Sequence, residues 1–286
     1  MARRPEILAK VRSIGAMPAA AVEAIRLAQD PDVDIAKLTR AIEYDPGLTS
    51  NVLRLANSAF FGFRRAIASI REAIVRLGMI RIVSLVAASS FAPLARRRIR
   101  GYDLPPGQLW RHSVASAIGS LELAQALGLR APDQVFTAAL LHDIGKVALG
   151  TFVEVAAEPI MALAFRQKVA FDAAERQVLG IDHAELGAVL LEDWRLPPGI
   201  VEAVAWHHLP TRFEGKDRLV TDLVHVADQI CLVGGIGAGA DGSHYRPSEE
   251  AVSGLRVTTR VIETVTCRIL SGLSELGDLL AGETGE

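Results

Sequence analysis

Six of the seven histidines lie between residues 112 and 228. Five of them run with two aspartates in the order His112, His142-Asp143, His183, His207-His208, Asp228. Neutral imidazole and carboxylate are donors that suit first-row divalent metals. An aspartate beside a histidine can bridge two ions while its neighbour binds one of them. The seven residues therefore predict a metal cage for two ions, with iron, manganese, zinc and nickel all compatible with the donor set. Lys146 lies one turn beyond His142 and Asp143 and points to the same side. It could clamp a phosphate held at such a centre, or make an ion pair across it. A lone histidine in a core is usually satisfied by its neighbours, so the case rests on the joint pattern. The competing reading is a set of core polar groups bonded to one another. His225 shares a helix face with Asp228 at i, i+3 and is expected to orient that carboxylate without binding metal itself.

The elements that must carry these residues read as helices. Half of the 286 residues are hydrophobic and only 5% are aromatic. Ala, Leu, Val and Ile recur at three- and four-residue steps, so an all-α chain of one or two domains is expected. The segment bearing His112 is apolar on most faces and should be a central helix, as should QVFTAALLHDIGKVAL. Asp182 and Glu185 form a cap-like pair. They place His183 in the first turn of its helix, where the positive dipole end disfavours imidazolium. PPGIVEAVAWHH ends a helix at the paired histidines. In the front part, Asp45-Pro46 and Ser69 with Glu72 have the spacing of helix starts. Leu48, Val52, Leu55 and Ala59 share one helical face. Asn57, Ser58, Phe60 and Phe61 form a helix end and turn that could present a partner surface or pack between lobes.

Four segments follow from this reading: a helical front lobe (1–98), a lobe with the candidate metal residues (99–232), a flexible glycine-rich connector (233–246) and a closing helical segment with a fraying tail (247–286). GGIGAGADGS lacks the strand context and the GK[ST] ending of a phosphate loop.

Cys231 and Cys267 form no CxxC pattern, so neither a disulfide framework nor a thiolate site is indicated, and a reducing cytoplasm fits. The N-terminus has no apolar signal core. The apolar stretch 82–95 is interrupted by serines and too short to span a bilayer, so no export or membrane insertion is expected. Net charge is −2, yet the first 100 residues hold 17 of the 31 Lys+Arg and 8 of the 33 Asp+Glu. Arg96, Arg97, Arg98 and Arg100 lack the interleaved aromatics of a nucleic-acid surface, so nucleic acid ranks below other partners.

The front segments DPGLTSNVLRLANSAFFG and SIREAIVRLGMIRI, combined with LWRHS, LLHDIGK, DHAELGAVLLEDWRLPPGI, AWHH and VHVAD, resemble the HDOD branch of the HD superfamily of metal-dependent phosphohydrolases. HDOD proteins are HD-related output domains of bacterial signalling, and the resemblance spans about residues 10–230. It implies a front helical lobe packed on an HD-like lobe. The implied role is regulatory, exercised through signalling-protein partners and open to gating by a metal or a nucleotide ligand. A stand-alone output module is the expected form. By likeness to the HD-GYP phosphodiesterases, His112, His142, Asp143 and Asp228 would hold one ion and His183, His207 and His208 a second, with Asp143 bridging. Gln108 stands where three-metal relatives have Glu, which argues against a third ion. HHLPTRFEGKD replaces the glycine-tyrosine-proline signature, which argues against cyclic di-GMP hydrolysis. The alternative is a di-metal phosphohydrolase acting on a nucleotide or cyclic nucleotide, with Asp143 and Lys146 as its catalytic residues.

Overall fold

A computed structural model describes residues 4–14, 17–30, 32–57, 61, 63 and 65–275. Among the described residues there are sixteen α-helices and no β-strand, apart from an isolated bridge between Ile99 and Leu104. The fold is all-α.

Local chemistry sets the helix starts among the first six helices, α1 (Arg4–Ile14), α2 (Ala19–Ala28), α3 (Ile35–Glu43), α4 (Pro46–Ala56), α5 (Ile70–Leu77) and α6 (Met79–Ala95). The Asp45 carboxylate accepts the Leu48 N–H at 3.0 Å, with Pro46 in the first turn of α4. Ser69 accepts the Glu72 N–H at 3.2 Å. Each cap satisfies a donor that the first helical turn leaves without a partner. Leu48 and Val52 are buried and Leu55 half-buried, while Ala59 lies outside the described residues. Asn57 ends α4 and is consumed internally: its amide donates to Ile67 O at 2.8 Å and accepts from Ile67 N at 2.6 Å, tying the end of the helix to Ile67. Phe61 packs on Phe136 of α8 (Val135–Leu141) with ring centroids 6.1 Å apart. Ser58 and Phe60, grouped with them in the sequence, lie outside the described residues.

Beyond the boundary, α7 (Gln108–Ala126) is buried on most faces. It packs against α8 (Val135–Leu141), α14 (Arg218–Val233) and α16 (Thr259–Glu275). Around this axis stand α9 (Ile144–Val155), α10 (Ala157–Gln167), α11 (Phe171–Leu179), α12 (His183–Asp193), α13 (Pro198–Trp206) and the short α15 (Glu249–Gly254). The helical run Val135–Val155 is long and apolar enough to cross a membrane by composition, but its apolar window is 83% buried, so that character serves the interior. The serines of α6 are satisfied within the helix, as with Ser89 Oγ on Leu85 O at 2.7 Å. In α16 the packing face is Val265, Ile269 and Leu273, while Ile262 is exposed.

Candidate metal centre

The candidate ligands come from five helices and the breaks between them. His112 is mid-helix in α7 and Asp228 mid-helix in α14. His142 and Asp143 sit at the junction where α8 ends and α9 begins, with Asp143 at φ −98° and ψ 11°. On one continuous helix, adjacent side chains point about 100° apart. The break lets this adjacent pair serve a single cavity. The Gly145 position fits the same demand for close approach, because a Cβ there would stand 1.9 Å from the His183 carbonyl oxygen. Glycine thus permits α9 to lie against α12. Asp182 caps α12 by accepting the Glu185 N–H at 2.8 Å, which places His183 in the first turn. His207 and His208 follow the last residue of α13.

In four of the histidines Nδ1 is tied to an acceptor away from the cavity. His112 Nδ1 bonds Ile236 O at 2.9 Å and His142 Nδ1 bonds Ala139 O at 2.6 Å. His183 Nδ1 meets Glu175 Oε2 and His207 Nδ1 meets Val204 O, each at 2.7 Å. With Nδ1 donating outward, each Nε2 faces inward, where the neutral ring offers its lone pair, the arrangement that outer partners impose on metal-binding histidines. These nitrogens gather round Asp143. Oδ2 lies 3.7 Å from His112 Nε2 and 3.4 Å from His142 Nε2. Oδ1 lies 3.5 Å from His183 Nε2 and 3.9 Å from His207 Nε2. Asp228 Oδ1 completes the first set, 3.0 Å from His112 Nε2 and 3.5 Å from His142 Nε2. His208 joins the second, its Nε2 2.8 Å from His183 Nε2.

Most of these separations are too long for hydrogen bonds but suit donors that share an ion, since two ligands each about 2.1 Å from a tetrahedral metal stand roughly 3.4 Å apart. Among the described residues, His142 Nε2, His207 Nε2 and Asp143 Oδ1 are buried without a hydrogen-bond partner. Buried polar atoms rarely go without a partner, and a shared ion would supply one to all three. Two donor groups sharing Asp143 emerge, His112, His142 and Asp143 on one side and Asp143, His183, His207 and His208 on the other. The residues fit divalent metal.

Electrostatics set the charge states. Burial works against ionised Asp143, yet Lys146 and the surrounding histidines hold it well below the usual carboxylate range. Asp228 is lowered in the same way, with His112 and His142 overcoming its burial. Burial and the proximity of His142 push His207 down to about 3, and burial with the neighbouring imidazoles lowers His208 well below its ordinary value, so both offer neutral nitrogen. His183 departs from the expectation set by its helix position. Burial lowers its affinity for a proton, but Glu175 outweighs both burial and the dipole and carries the pKa up to about 9. An ion at His183 must therefore displace a proton.

Lys146 is 4% exposed, with Nζ 2.8 Å from Asp143 Oδ2 and 2.7 Å from Asp241 Oδ2. Its charge is answered on two sides. His225 has its nitrogens engaged away from Asp228: Nδ1 donates to His207 O at 2.7 Å and Nε2 accepts from Ser248 N at 2.8 Å. It braces the backbone that presents the paired histidines.

Several site residues escape motif reading. Glu175 accepts from His183 N at 3.0 Å as well as from its ring, and it also receives the Tyr102 hydroxyl. Its signal was a carboxylate within the apolar stripe of α11, among Phe171, Ala174 and Leu179. Asp241 and Tyr245 come from the segment expected to be a flexible connector, and nothing local marks them. That segment lies against the centre, and Gly237 adopts φ +65° where a Cβ would stand 2.7 Å from His112 Cβ.

The comparisons with known proteins agree with this architecture. The HDOD domain model matches residues 14–210, which stops short of Asp228. An HDOD domain protein of unknown function from Geobacter sulfurreducens is 25% identical with a TM-score of 0.64, covering 97% of this chain and 96% of its own. A protein described as a candidate phosphohydrolase from Shewanella amazonensis SB2B is 26% identical with a TM-score of 0.61, covering 92% and 97%. An uncharacterized protein of Treponema pallidum (strain Nichols) is 26% identical over 204 residues, or 70% of this chain, which spans 38% of that relative's length. Since the domain model takes in well over half of the sequence, and front lobe and metal-type cluster occur together, the chain belongs to the HDOD family.

Proposed function

We propose that this HDOD protein is a signalling output module in which a pair of divalent ions, bound between helices, fixes the surface that partner proteins read. Residues 1–98 would form the front lobe and 99–232 the metal-bearing lobe. The observation that carries the reading is the division of Asp143, with one oxygen toward His112 and His142 and the other toward His183 and His207. His112, His142, Asp143 and Asp228 would hold one ion, and Asp143, His183, His207 and His208 the other. Bound there, such ions polarise phosphoryl oxygens and acidify water.

A regulatory use is favoured over turnover for two reasons. The positive charge suited to a phosphate, Lys146, is already neutralised by Asp143 and Asp241. The surface pocket that reaches His208 has Arg176 as the one cation in its lining, and that guanidinium is engaged by Asp182 and Glu185, so a substrate phosphate would meet no free positive partner on that side. The second reading, a phosphohydrolase acting on a nucleotide or cyclic nucleotide, draws on the donor set and on the Shewanella relative's description. Purified protein assayed against a panel of phosphodiesters and nucleotides with manganese or iron decides between them. Binding of metal without hydrolysis supports the output module, and turnover dependent on Asp143 supports the enzyme. Nucleic acid is disfavoured because Arg96 sits 5.6 Å over the Trp110 ring and Arg100 lies 3.8 Å from the surface carboxylate of Glu154, so part of the basic run is already answered within the chain.

A further inference from the structure

We propose that residues 234–248 are a displaceable cover on the metal centre, and that Asp241 occupies the anion position a phosphate-bearing ligand takes when it binds. The inference rests on the metal-centre reading and adds its regulation.

The segment crosses the centre and touches it in sequence. The Ile236 carbonyl accepts from His112 Nδ1 at 2.9 Å, and Ala240 N donates to Tyr102 O at 2.9 Å. Asp241 Oδ2 meets Lys146 Nζ at 2.7 Å, and the same ammonium lies 5.4 Å from the Tyr102 ring. Tyr245 stacks on His208 with centroids 4.2 Å apart and planes 3° from parallel. The far end is pinned by the Ser248 N–H on His225 Nε2 at 2.8 Å. His112, His208, Lys146 and His225 are thus each contacted by a different residue of one non-repetitive stretch, whose regular structure is a single short turn at Gly242–His244.

Three features make the contact exchangeable. Apart from Ile236, which is packed in the core, and the Tyr245 ring on His208, the cover is held by isolated hydrogen bonds and one ion pair, without the continuous ladder of a helix, which places it among segments able to open locally. The Lys146–Asp241 pair is buried, and the cost of desolvating two charges offsets much of their attraction. A phosphate would bring more charge and three acceptor oxygens to the same ammonium. Finally, the Tyr245 hydroxyl is buried beside His208 without a hydrogen-bond partner, leaving a donor that the closed arrangement does not use. Exchange of Asp241 for phosphate would free the cover and turn occupancy of the centre into a change of surface.

The test uses the full chain and inorganic phosphate as probe. Phosphate binding is measured by equilibrium dialysis with manganese in the parent and in Asp241→Asn, and amide hydrogen exchange of the parent is followed with and without phosphate. Removal of the internal competitor should tighten phosphate binding about tenfold, as relief of a closed-state penalty requires. Phosphate should also raise exchange across 234–248 in the parent while α7 stays protected. Equal affinity in both proteins together with unchanged exchange would overturn the proposal. If Asp241→Asn does not fold, the parent exchange experiment decides alone. Metal content, measured in the same samples, separates the two readings. Absence of metal sinks the metal centre, while phosphate-dependent exchange of the cover still reports on Asp241 and Lys146.

Discussion

Glu175 accepts both the backbone N–H and the Nδ1–H of His183, so it fixes the tautomer that turns Nε2 toward Asp143. Glu175→Gln keeps the shape and removes the charge. Metal affinity should fall about 10- to 100-fold, as measured by competition with a chelating dye, while the circular dichroism spectrum is unchanged. A nearby carboxylate behaves in the opposite sense. Burial raises Asp172 to about 6 although His183 opposes the shift, and its Oδ1 lacks a hydrogen-bond partner. Its folded pKa lies above the unfolded value, so between about 4 and about 6 the folded state binds more protons and stability falls as pH rises. Above that window the full penalty, about 3 kcal/mol, is present. Asp172→Asn in metal-free protein should therefore raise Tm at pH 8, with the gain shrinking toward pH 4. A gain that is the same at both pH values would contradict this assignment.

The α9–α12 contact couples packing to the donor geometry. Gly145→Ala would place a methyl group 1.9 Å from His183 O and 2.8 Å from Gly187 N, both backbone atoms that cannot swing aside. Such overpacking costs about 1–3 kcal/mol or more. Because His183 moves with α12, Tm and bound metal should drop together, and a lower Tm with full metal content would break the proposed coupling. At this scale the sequence was readable wherever the cause is local. Asp45, Ser69 and Asp182 cap the helices that their spacing predicts. The apolar faces of the His112 segment predict the central place of α7. It was unreadable where the cause is distant. QVFTAALLHDIGKVAL shows no sign of the break at His142-Asp143, and the glycines of GGIGAGADGS read as flexibility when Gly237 serves close approach to His112. Glu175, Asp241 and Tyr245 acquire meaning only through partners that the chain fold brings to them.

Across the whole molecule, the donor residues tie α7, the α8–α9 junction, α12, α13 and α14 to one point. An ion bound there binds the folded chain and not the unfolded one, so it should stabilise by about 2.7 kcal/mol at a hundredfold excess over its Kd. Thermal scans with and without a chelator should show a lower Tm after metal removal, restored by added manganese, iron or zinc. Phe61 on Phe136 ties the N-terminal helices to α8, which ends at His142. The most direct measurement of the central claim is elemental analysis of protein purified without an affinity tag, in the parent and in Asp143→Ala. Two divalent ions per chain in the parent and loss of both in the variant are predicted. A parent without metal, or a variant that retains the parent's full content, would contradict the shared-carboxylate centre.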